Sequence, residues 1–251
     1  IISGSTGFLP IDFEERFPTI TQGSIIGYDD ITASDGAWNT AITWTGELGG
    51  LNEPGPGHNV TINSGGTVTI PADAVANSVS IADGGQLTLD AVATLDVTGA
   101  FTIQSGGSFI QNGTLNAASK TAERAIAAAN WADPLDGWHL ISSPVASQAI
   151  SGDWTPSGEG NDYDFYAWSE PDNEWKNQKV SGNGITTFNV GQGYNVSYQQ
   201  SGSKSFTGDF NTADVTANLT NSSSGFNLLG NPYPSALIWG TGWTLGDVQA
   251  T

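Results

Sequence analysis

Oxygen-bearing side chains cluster in two segments that have the composition of turns. The first is Asn161-Asp162-Tyr163-Asp164, and the second is Glu170-Pro171-Asp172-Asn173-Glu174. Carboxylate and amide oxygens carried on turns are the ligands that calcium prefers in proteins. Calcium is therefore the candidate cofactor, and the alternative is that these acids are solvated side chains on hairpin turns. The candidate ligands are Asp162, Asp164, Asp172 and Glu174.

Aromatic side chains are dense in the same part of the chain and could stack on sugar rings. Trp168 and Trp175 flank the second acidic turn, and Tyr194 follows downstream. A flat aromatic ring offers a large apolar face, and neighbouring polar groups could accept hydrogen bonds from sugar hydroxyls. Trp168, Trp175 and Tyr194 are therefore candidate ligands for a neutral glycan. The alternative is that strand alternation buries such rings in a core.

The sequence lacks the residue patterns of common catalytic sites. His58 lies in a Gly/Pro-rich turn and His139 lies in a predicted strand far downstream. No Gly-x-Ser-x-Gly elbow occurs, and no Gly-Gly pair is followed by the lysine and helix of a phosphate loop. A site like that of pectin lyases would need a basic catalytic residue, and none occurs between Arg16 and Lys120. We therefore expect that the protein is not an enzyme.

The charge balance narrows the classes of partner. The chain carries 25 acidic and 6 basic residues, for a net charge of −19, and no cysteine. Nucleic acid is excluded as a partner because binding its phosphates needs cations on the protein. No apolar run has the length of a transmembrane helix, so we expect no membrane insertion. Because the chain begins with Ile1 and lacks methionine, we expect a processed chain or a fragment whose export signal was removed.

An internal repeat lies between residues 59 and 112. The pairs Gly65-Gly66, Gly84-Gly85 and Gly106-Gly107 recur about every 20 residues, and apolar and polar residues alternate in the runs that they join. A turn that recurs at this period is typical of a parallel coil in which each rung packs on the previous one. We predict a short right-handed parallel β-solenoid over residues 36–118.

Residues 119–251 are predicted to form an antiparallel β-sandwich, which makes the fold class all-β. The run from Gly137 to Pro144 resembles the run from Gly225 to Pro232, and each is a strand that a proline turn ends. Trp168 and Trp175 predict a β-hairpin with a cross-strand aromatic pair. Residues 192–198 and 204–210 predict a second hairpin. The stretch 117–131 has helical propensity but no helical apolar stripe, so a strand is favoured there.

The N-terminal segment, residues 1–35, carries more apolar side chains than a disordered tail would. It could pack on its own domain, or it could add a strand to a neighbouring copy of the chain. We assign the second role to it as a hypothesis. The candidate assembly residues are Ile1, Ile2, Phe8, Leu9, Ile11 and Phe13.

Several ordered motifs together resemble the solenoid-plus-β-module region of large secreted and surface proteins of Bacteroidota that the type IX secretion system exports. The motifs are the Trp38–Phe109 solenoid, Gly137–Val145, Tyr163–Trp175, Gly191–Tyr194, Phe206–Gly208 and Leu228–Pro234. This resemblance implies an extracellular or cell-surface location. It implies no activity, because such modules accompany enzymes, adhesins and structural proteins. The sequence ends at Thr251 without the C-terminal sorting domain expected in such proteins, so we expect either that this domain was cleaved or that the chain is part of a longer one.

The sequence as a whole predicts an extracellular structural or adhesive protein that self-assembles into a polymer or filament. Its expected partners are other copies of the chain or the rest of a longer protein. The alternative is a carbohydrate-binding accessory module of a secreted polysaccharide-degrading enzyme, which would present two or three coplanar exposed rings to a neutral glycan.

Overall fold

A computed structural model describes residues 29–46, 48, 51–133, 135–158 and 164–238. It is all-β, as predicted, with 45% strand and 4% helix. The candidate assembly residues from Ile1 to Phe13 and the candidate ligand Asp162 lie outside the described residues. The described 3-10 helices are Ala41–Thr43, Gly152–Trp154 and Ser181–Asn183. The strands are β1 (Asp29–Ala37), β2 (Trp44–Thr45), β3 (His58–Ile70), β4 (Ala74–Ala76), β5 (Ser78–Ile81), β6 (Gln86–Leu89), β7 (Thr94–Ile103), β8 (Ser108–Gln111), β9 (Thr114–Ile126), β10 (His139–Ile141), β11 (Phe165–Ser169), β12 (Glu174–Asn177), β13 (Tyr194–Val196) and β14 (Gly202–Thr207).

Parallel pairing of the N-terminal strands builds a solenoid of about three turns, which confirms the predicted coil. Along one side, β1, β3, β5, β7 and β9 pair in that order. Along a second side, the end of β3 pairs with β6, and β6 pairs with β8. Along the third side, β4 pairs with β7, and β7 with the start of β9. Each rung therefore lies directly on the rung before it.

The alternation of apolar and polar residues becomes columns of stacked side chains inside the coil. Ile31, Val60, Val79 and Phe101 are register partners on successive rungs, and none is more than 1% exposed. A second column runs through Ile62, Ile81 and Ile103. Burying one such side chain contributes roughly 1.5–3 kcal/mol, so these columns stabilise the coil.

The Gly-Gly turns are needed for two different reasons. Gly84 has a φ of +74°, a left-handed conformation that residues with a side chain rarely adopt. Gly85 has an ordinary φ, but a Cβ there would lie 2.9 Å from the carbonyl oxygen of Ile62 on the preceding rung. The first glycine of the pair makes the turn, and the second allows the rungs to approach closely.

The coil is longer at both ends than the range 36–118 read from the sequence. β1 begins at Asp29, because Ile31 and Ala33 continue the buried columns opposite Val60 and Ile62. β9 continues to Ile126, where Ala122 and Ile126 are buried. The stretch 117–126 is thus a strand, as favoured above, because rung stacking overrides its helical propensity.

The C-terminal unit, residues 127–238, contains a four-stranded antiparallel sheet in the order β10-β13-β11-β12. The predicted hairpin is confirmed, with Trp168 opposite Trp175. The predicted hairpin between residues 192–198 and 204–210 is wrong, because β13 pairs with β10 and β11 while β14 pairs antiparallel with β9 of the solenoid. The reason is that Phe206 of β14 is fully buried against Trp154 and Phe188.

Aromatic packing joins the solenoid to the C-terminal unit. The ring of Phe210 lies 6.1 Å from that of Phe101 and 6.2 Å from that of Phe109. The N–H of Phe109 donates to the carbonyl of Pro234 at 3.0 Å. The solenoid and the C-terminal unit therefore share one continuous core.

Candidate functional site

One face of the four-stranded sheet carries a contiguous set of partly exposed apolar side chains. Leu140, Asn195 and Tyr166 are cross-strand neighbours, and Trp168 and Trp175 pair on the same face one step along. Leu140 is 70% exposed and Trp175 is 43% exposed. The outer aromatic face comprises Trp138, Leu140, Tyr166, Trp168, Trp175 and Phe226. Contiguous exposed apolar surface of this kind marks interaction sites in soluble proteins.

The rings of the outer aromatic face meet edge to face. Trp168 and Trp175 lie 5.4 Å apart with their planes at 69°, and Tyr166 and Trp175 lie 6.5 Å apart at 80°. The Nε1 of Trp168 donates to the backbone carbonyl of Phe226 at 2.6 Å, which places the backbone of this exposed residue beside the face. These pairs do not form the coplanar platform that stacking along a glycan chain would use.

Tyr194, the third candidate glycan ligand, is on the opposite side of the sheet and is 1% exposed. Its hydroxyl accepts a hydrogen bond from the N–H of Asn189 at 2.8 Å. Burial raises the pKa of Tyr194, so the phenol stays neutral. The structure thus brings Trp168 and Trp175 together and gives Tyr194 a place in the core.

A polar cleft of about 780 Å³ lies beside the sheet. Trp168 and Tyr194 of the sheet line it, as does the turn from Ser169 to Asp172. Its walls come from two further segments, one within residues 182–192 and the other made of residues 216–220 and 227–229. Trp168 belongs to both the cleft and the outer aromatic face, so the two surfaces adjoin.

Glu170 holds one wall of the cleft in place. Its carboxylate accepts hydrogen bonds from the N–H groups of Ser223 at 2.7 Å, Gly225 at 2.8 Å and Ser222 at 3.0 Å. Burial would raise the pKa of Glu170, but the backbone donors outweigh it and lower the pKa to about 2. We call this arrangement the Glu170 latch. The carboxylate is occupied by protein donors, so it has a structural role.

The acids of the second predicted calcium turn are paired with a lysine. The Nζ of Lys176 lies 3.0 Å from the Oδ2 of Asp172 and also contacts a carboxylate oxygen of Glu174. The hydrogen bond from Lys176 lowers the pKa of Asp172, and the hydrogen bond to Glu174 raises the pKa of Lys176. Asp172 and Glu174 are therefore close together, as the sequence suggested, but the ammonium group of Lys176 already lies between their carboxylates.

Asp164 lies at the other end of β11, in the core. It is fully buried, and its Oδ2 accepts a hydrogen bond from the N–H of Gly158 at 3.0 Å. Within the described ranges no three His, Asp or Glu side chains form a group that could hold a metal ion. Calcium binding by these residues stays a prediction.

The two histidines occupy unrelated places. His58 begins β3, and its Nδ1 accepts a hydrogen bond from the N–H of Gly55 at 2.9 Å. His139 begins β10 in the C-terminal unit. Over the part of the chain that the structure describes, no helix is long and apolar enough to cross a bilayer.

Sequence reasoning missed the residues that shape the cleft. Glu170 was grouped with the turn acids, and the wall residues Thr187, Thr216 and Asn218 carried no signal at all. Nothing local marks them, because the Glu170 latch joins segments about fifty residues apart. The only hint was the density of glycine, serine and asparagine in residues 216–231.

Residues 31–243 match the model of a family described as Domain of unknown function (DUF8693), and the chain therefore belongs to that family. No curated protein and no solved structure matches the chain.

Proposed function

We propose that this member of the DUF8693 family is a non-enzymatic adhesive or structural module of an extracellular or cell-surface protein. The observation that carries the proposal is the outer aromatic face, which leaves Leu140 70% and Phe226 69% exposed on an otherwise well-packed scaffold. Water-exposed aromatic and aliphatic groups gain free energy when a partner covers them. The resemblance to exported Bacteroidota proteins supports the extracellular location.

Self-association is the binding event that this surface favours. Two copies that each carry a net charge of −19 repel one another, so contact between them requires a patch without charge. The outer aromatic face is such a patch, since all six of its members are uncharged. The donor-segment hypothesis for residues 1–35 offers a second contact between copies, and the two contacts together would allow a polymer.

The test is the mass of the purified chain in solution, measured by light scattering over a range of protein and salt concentrations. We expect association that grows with protein concentration and with salt, because salt screens the repulsion between copies. The double variant Leu140→Ser, Trp175→Ser should stay monomeric. The matched control is Ile42→Ser, Val92→Ser, which removes two highly exposed apolar side chains from the solenoid. Association that the control abolishes as readily as the face variant would contradict the proposal.

Calcium at the joints of such an assembly is a separate part of the proposal. Adding a chelator to the same light-scattering experiment tests it. Loss of the large species with chelator, and its return with excess Ca²⁺, would support calcium-linked assembly. An unchanged mass would contradict a role for calcium in the assembly and would leave the apolar contact as the proposed joint.

The second candidate function is binding of a neutral glycan, and the polar cleft favours it. The cleft adjoins the outer aromatic face at Trp168 and has the dimensions of a small-ligand site. Because the rings of the outer aromatic face are not coplanar, we expect the glycan to enter the cleft and not to lie across the face.

A further inference from the structure

The walls of the polar cleft expose hydrogen-bonding side chains that the protein itself does not use. Thr187, Thr216 and Asn218 line the cleft, and all three are solvent-exposed. Among the described residues, none of these three side chains has a hydrogen-bond partner. A threonine hydroxyl both donates and accepts, and an asparagine amide offers two donors and one acceptor. A ligand in the cleft would therefore meet donors and acceptors in comparable number.

The charged groups of the cleft are compensated within the protein. Glu170 accepts three backbone N–H groups, and Asp172 lies 3.0 Å from Lys176, which Glu174 also contacts. An anionic ligand would compete with Asp172 and Glu174 for Lys176, and the chain's net charge of −19 would repel it. A cationic ligand would find its carboxylates already occupied. The lining thus favours a ligand that is polar and uncharged.

The walls are fixed to each other before any ligand arrives. The N–H of Gly193 donates to the carbonyl of Leu228 at 3.0 Å, and the N–H of Gly230 donates to the carbonyl of Gly191 at 2.9 Å. The Glu170 latch and the hydrogen bonds between Asn227 and Thr220 hold the loop at the far end. A cleft that needs no ordering on binding loses less entropy when a ligand enters.

We propose that this cleft is a binding site for a neutral oligosaccharide, with Asn218, Thr187 and Thr216 contacting its hydroxyls and Trp168 packing against a sugar ring at the rim. The ligand class follows from the lining: sugar hydroxyls need both donors and acceptors, an aromatic ring at the rim can cover the apolar face of a sugar, and the charges of the cleft are already paired within the protein. A volume of about 780 Å³ accommodates several sugar units. This inference rests on the second candidate function, glycan binding, for which it names the residues that would contact the ligand.

The experiment uses the whole chain and a panel of neutral oligosaccharides of three to six units: cello-, laminari-, xylo-, manno- and chito-oligosaccharides. Oligogalacturonate is the anionic counter-probe. Saturation-transfer difference NMR detects binding, and isothermal titration calorimetry measures the affinity of each hit. We expect at least one neutral series to bind and oligogalacturonate not to bind. The affinity should change less than twofold between low and high salt, because no charge is involved.

Three variants locate the site. Thr216→Trp fills the cleft and should weaken binding at least tenfold, and Asn218→Ala should weaken it several-fold. Thr212→Trp is the matched control, because Thr212 is exposed and lies outside the cleft lining, and it should bind as the parent does. Thermal melting of each variant verifies that the fold is kept, which is expected because all three side chains are exposed.

Two outcomes would overturn the inference. One is that no neutral oligosaccharide of the panel binds at millimolar concentration. The other is that a hit binds equally well to Thr216→Trp. If binding is instead lost in Trp175→Ala, which lies outside the cleft, the glycan site is the outer aromatic face. Adhesion or self-association that persists without any glycan binding would leave the proposed function standing and remove the cleft from it.

Discussion

The solenoid and the C-terminal unit are stabilised by contacts of different sequence range. In the solenoid, Val79 packs on Val60 and Phe101, and each partner lies one rung away in the chain. In the C-terminal unit, Trp154 packs on Phe206, and Glu170 binds the backbone of Ser223, both across about fifty residues. Repeated short-range stacking thus produces the scaffold, while single long-range contacts shape the cleft and the outer aromatic face.

We expect the strongest destabilisation from a substitution at the joint between these two regions, where Phe210 packs on Phe101 and Phe109. Phe210→Ala removes a buried ring from the cluster with Phe101 and Phe109, and we expect a loss of about 3–5 kcal/mol in the free energy of unfolding. We also expect the two regions to unfold in separate steps in guanidinium, followed by circular dichroism and tryptophan fluorescence. Phe226→Ala, at a site 69% exposed, is the control. A single transition at the parent midpoint would contradict the role of the joint.

Within the solenoid, Ile81→Ala should cost about 2–5 kcal/mol, because Ile81 is fully buried between Ile62 and Ile103. Hydrogen exchange should rise in β3 and β7, the rungs on either side, more than in the C-terminal sheet. Val92→Ala, at a turn position 86% exposed, should change stability by no more than about 0.5 kcal/mol. Equal exchange across the whole chain would show that the rungs are not the cooperative unit.

A substitution in the Gly-Gly turns should lower the stability of the solenoid by a smaller amount than a substitution in its core. Gly85→Ala places a Cβ 2.9 Å from the carbonyl oxygen of Ile62, and we expect a loss of about 1–3 kcal/mol from the displaced rung. Gly57→Ala is the matched control, since a Cβ there meets nothing within 4 Å. Thermal melts of the two variants provide the measurement. A Gly85→Ala protein as stable as the control would mean that the rungs tolerate a wider spacing.

The smallest effect on global stability, and the most local one, concerns the Glu170 latch. Its pKa of about 2 lies below the ordinary value of 4.5, so the carboxylate stabilises the latched loop above about pH 4.5 and loses that contribution as the pH falls towards 2. Glu170→Gln should make the amides of residues 220–227 exchange faster at neutral pH. It should also remove the change in their protection factors, which are corrected for intrinsic exchange, between pH 2 and 5. Hydrogen exchange by mass spectrometry measures both. An unchanged pH profile in the variant would mean that another group governs the loop.

The β-solenoid was predictable because its information is local and repeated. Three Gly-Gly pairs that recur about every 20 residues, with strict alternation around them, define where each rung turns and which side chains face inward. The ends were harder to place, since β1 and the second half of β9 lack the Gly-Gly signature. The Trp168–Trp175 hairpin was predictable for the same reason as the rungs, because only a short turn separates its strands.

The cleft and the joint could not be read from the sequence. Strand β14 pairs with β9 and not with β13 because this pairing buries Phe206 against Trp154 and Phe188. No pattern in the local sequence indicates that burial. The role of Glu170 likewise depends on three N–H groups that only the folded chain brings to it.

Residue types and spacings were sufficient to predict that the chain is all-β and that its N-terminal part coils into stacked rungs. These properties depend on residue types and on spacings of about 20 residues or fewer, which chain geometry turns directly into contacts. Which aromatic residues are exposed, which acids are already paired and where the polar cleft opens depended on the folded chain. Those properties depend on contacts between segments distant in sequence, and such contacts exist only when the whole core has packed.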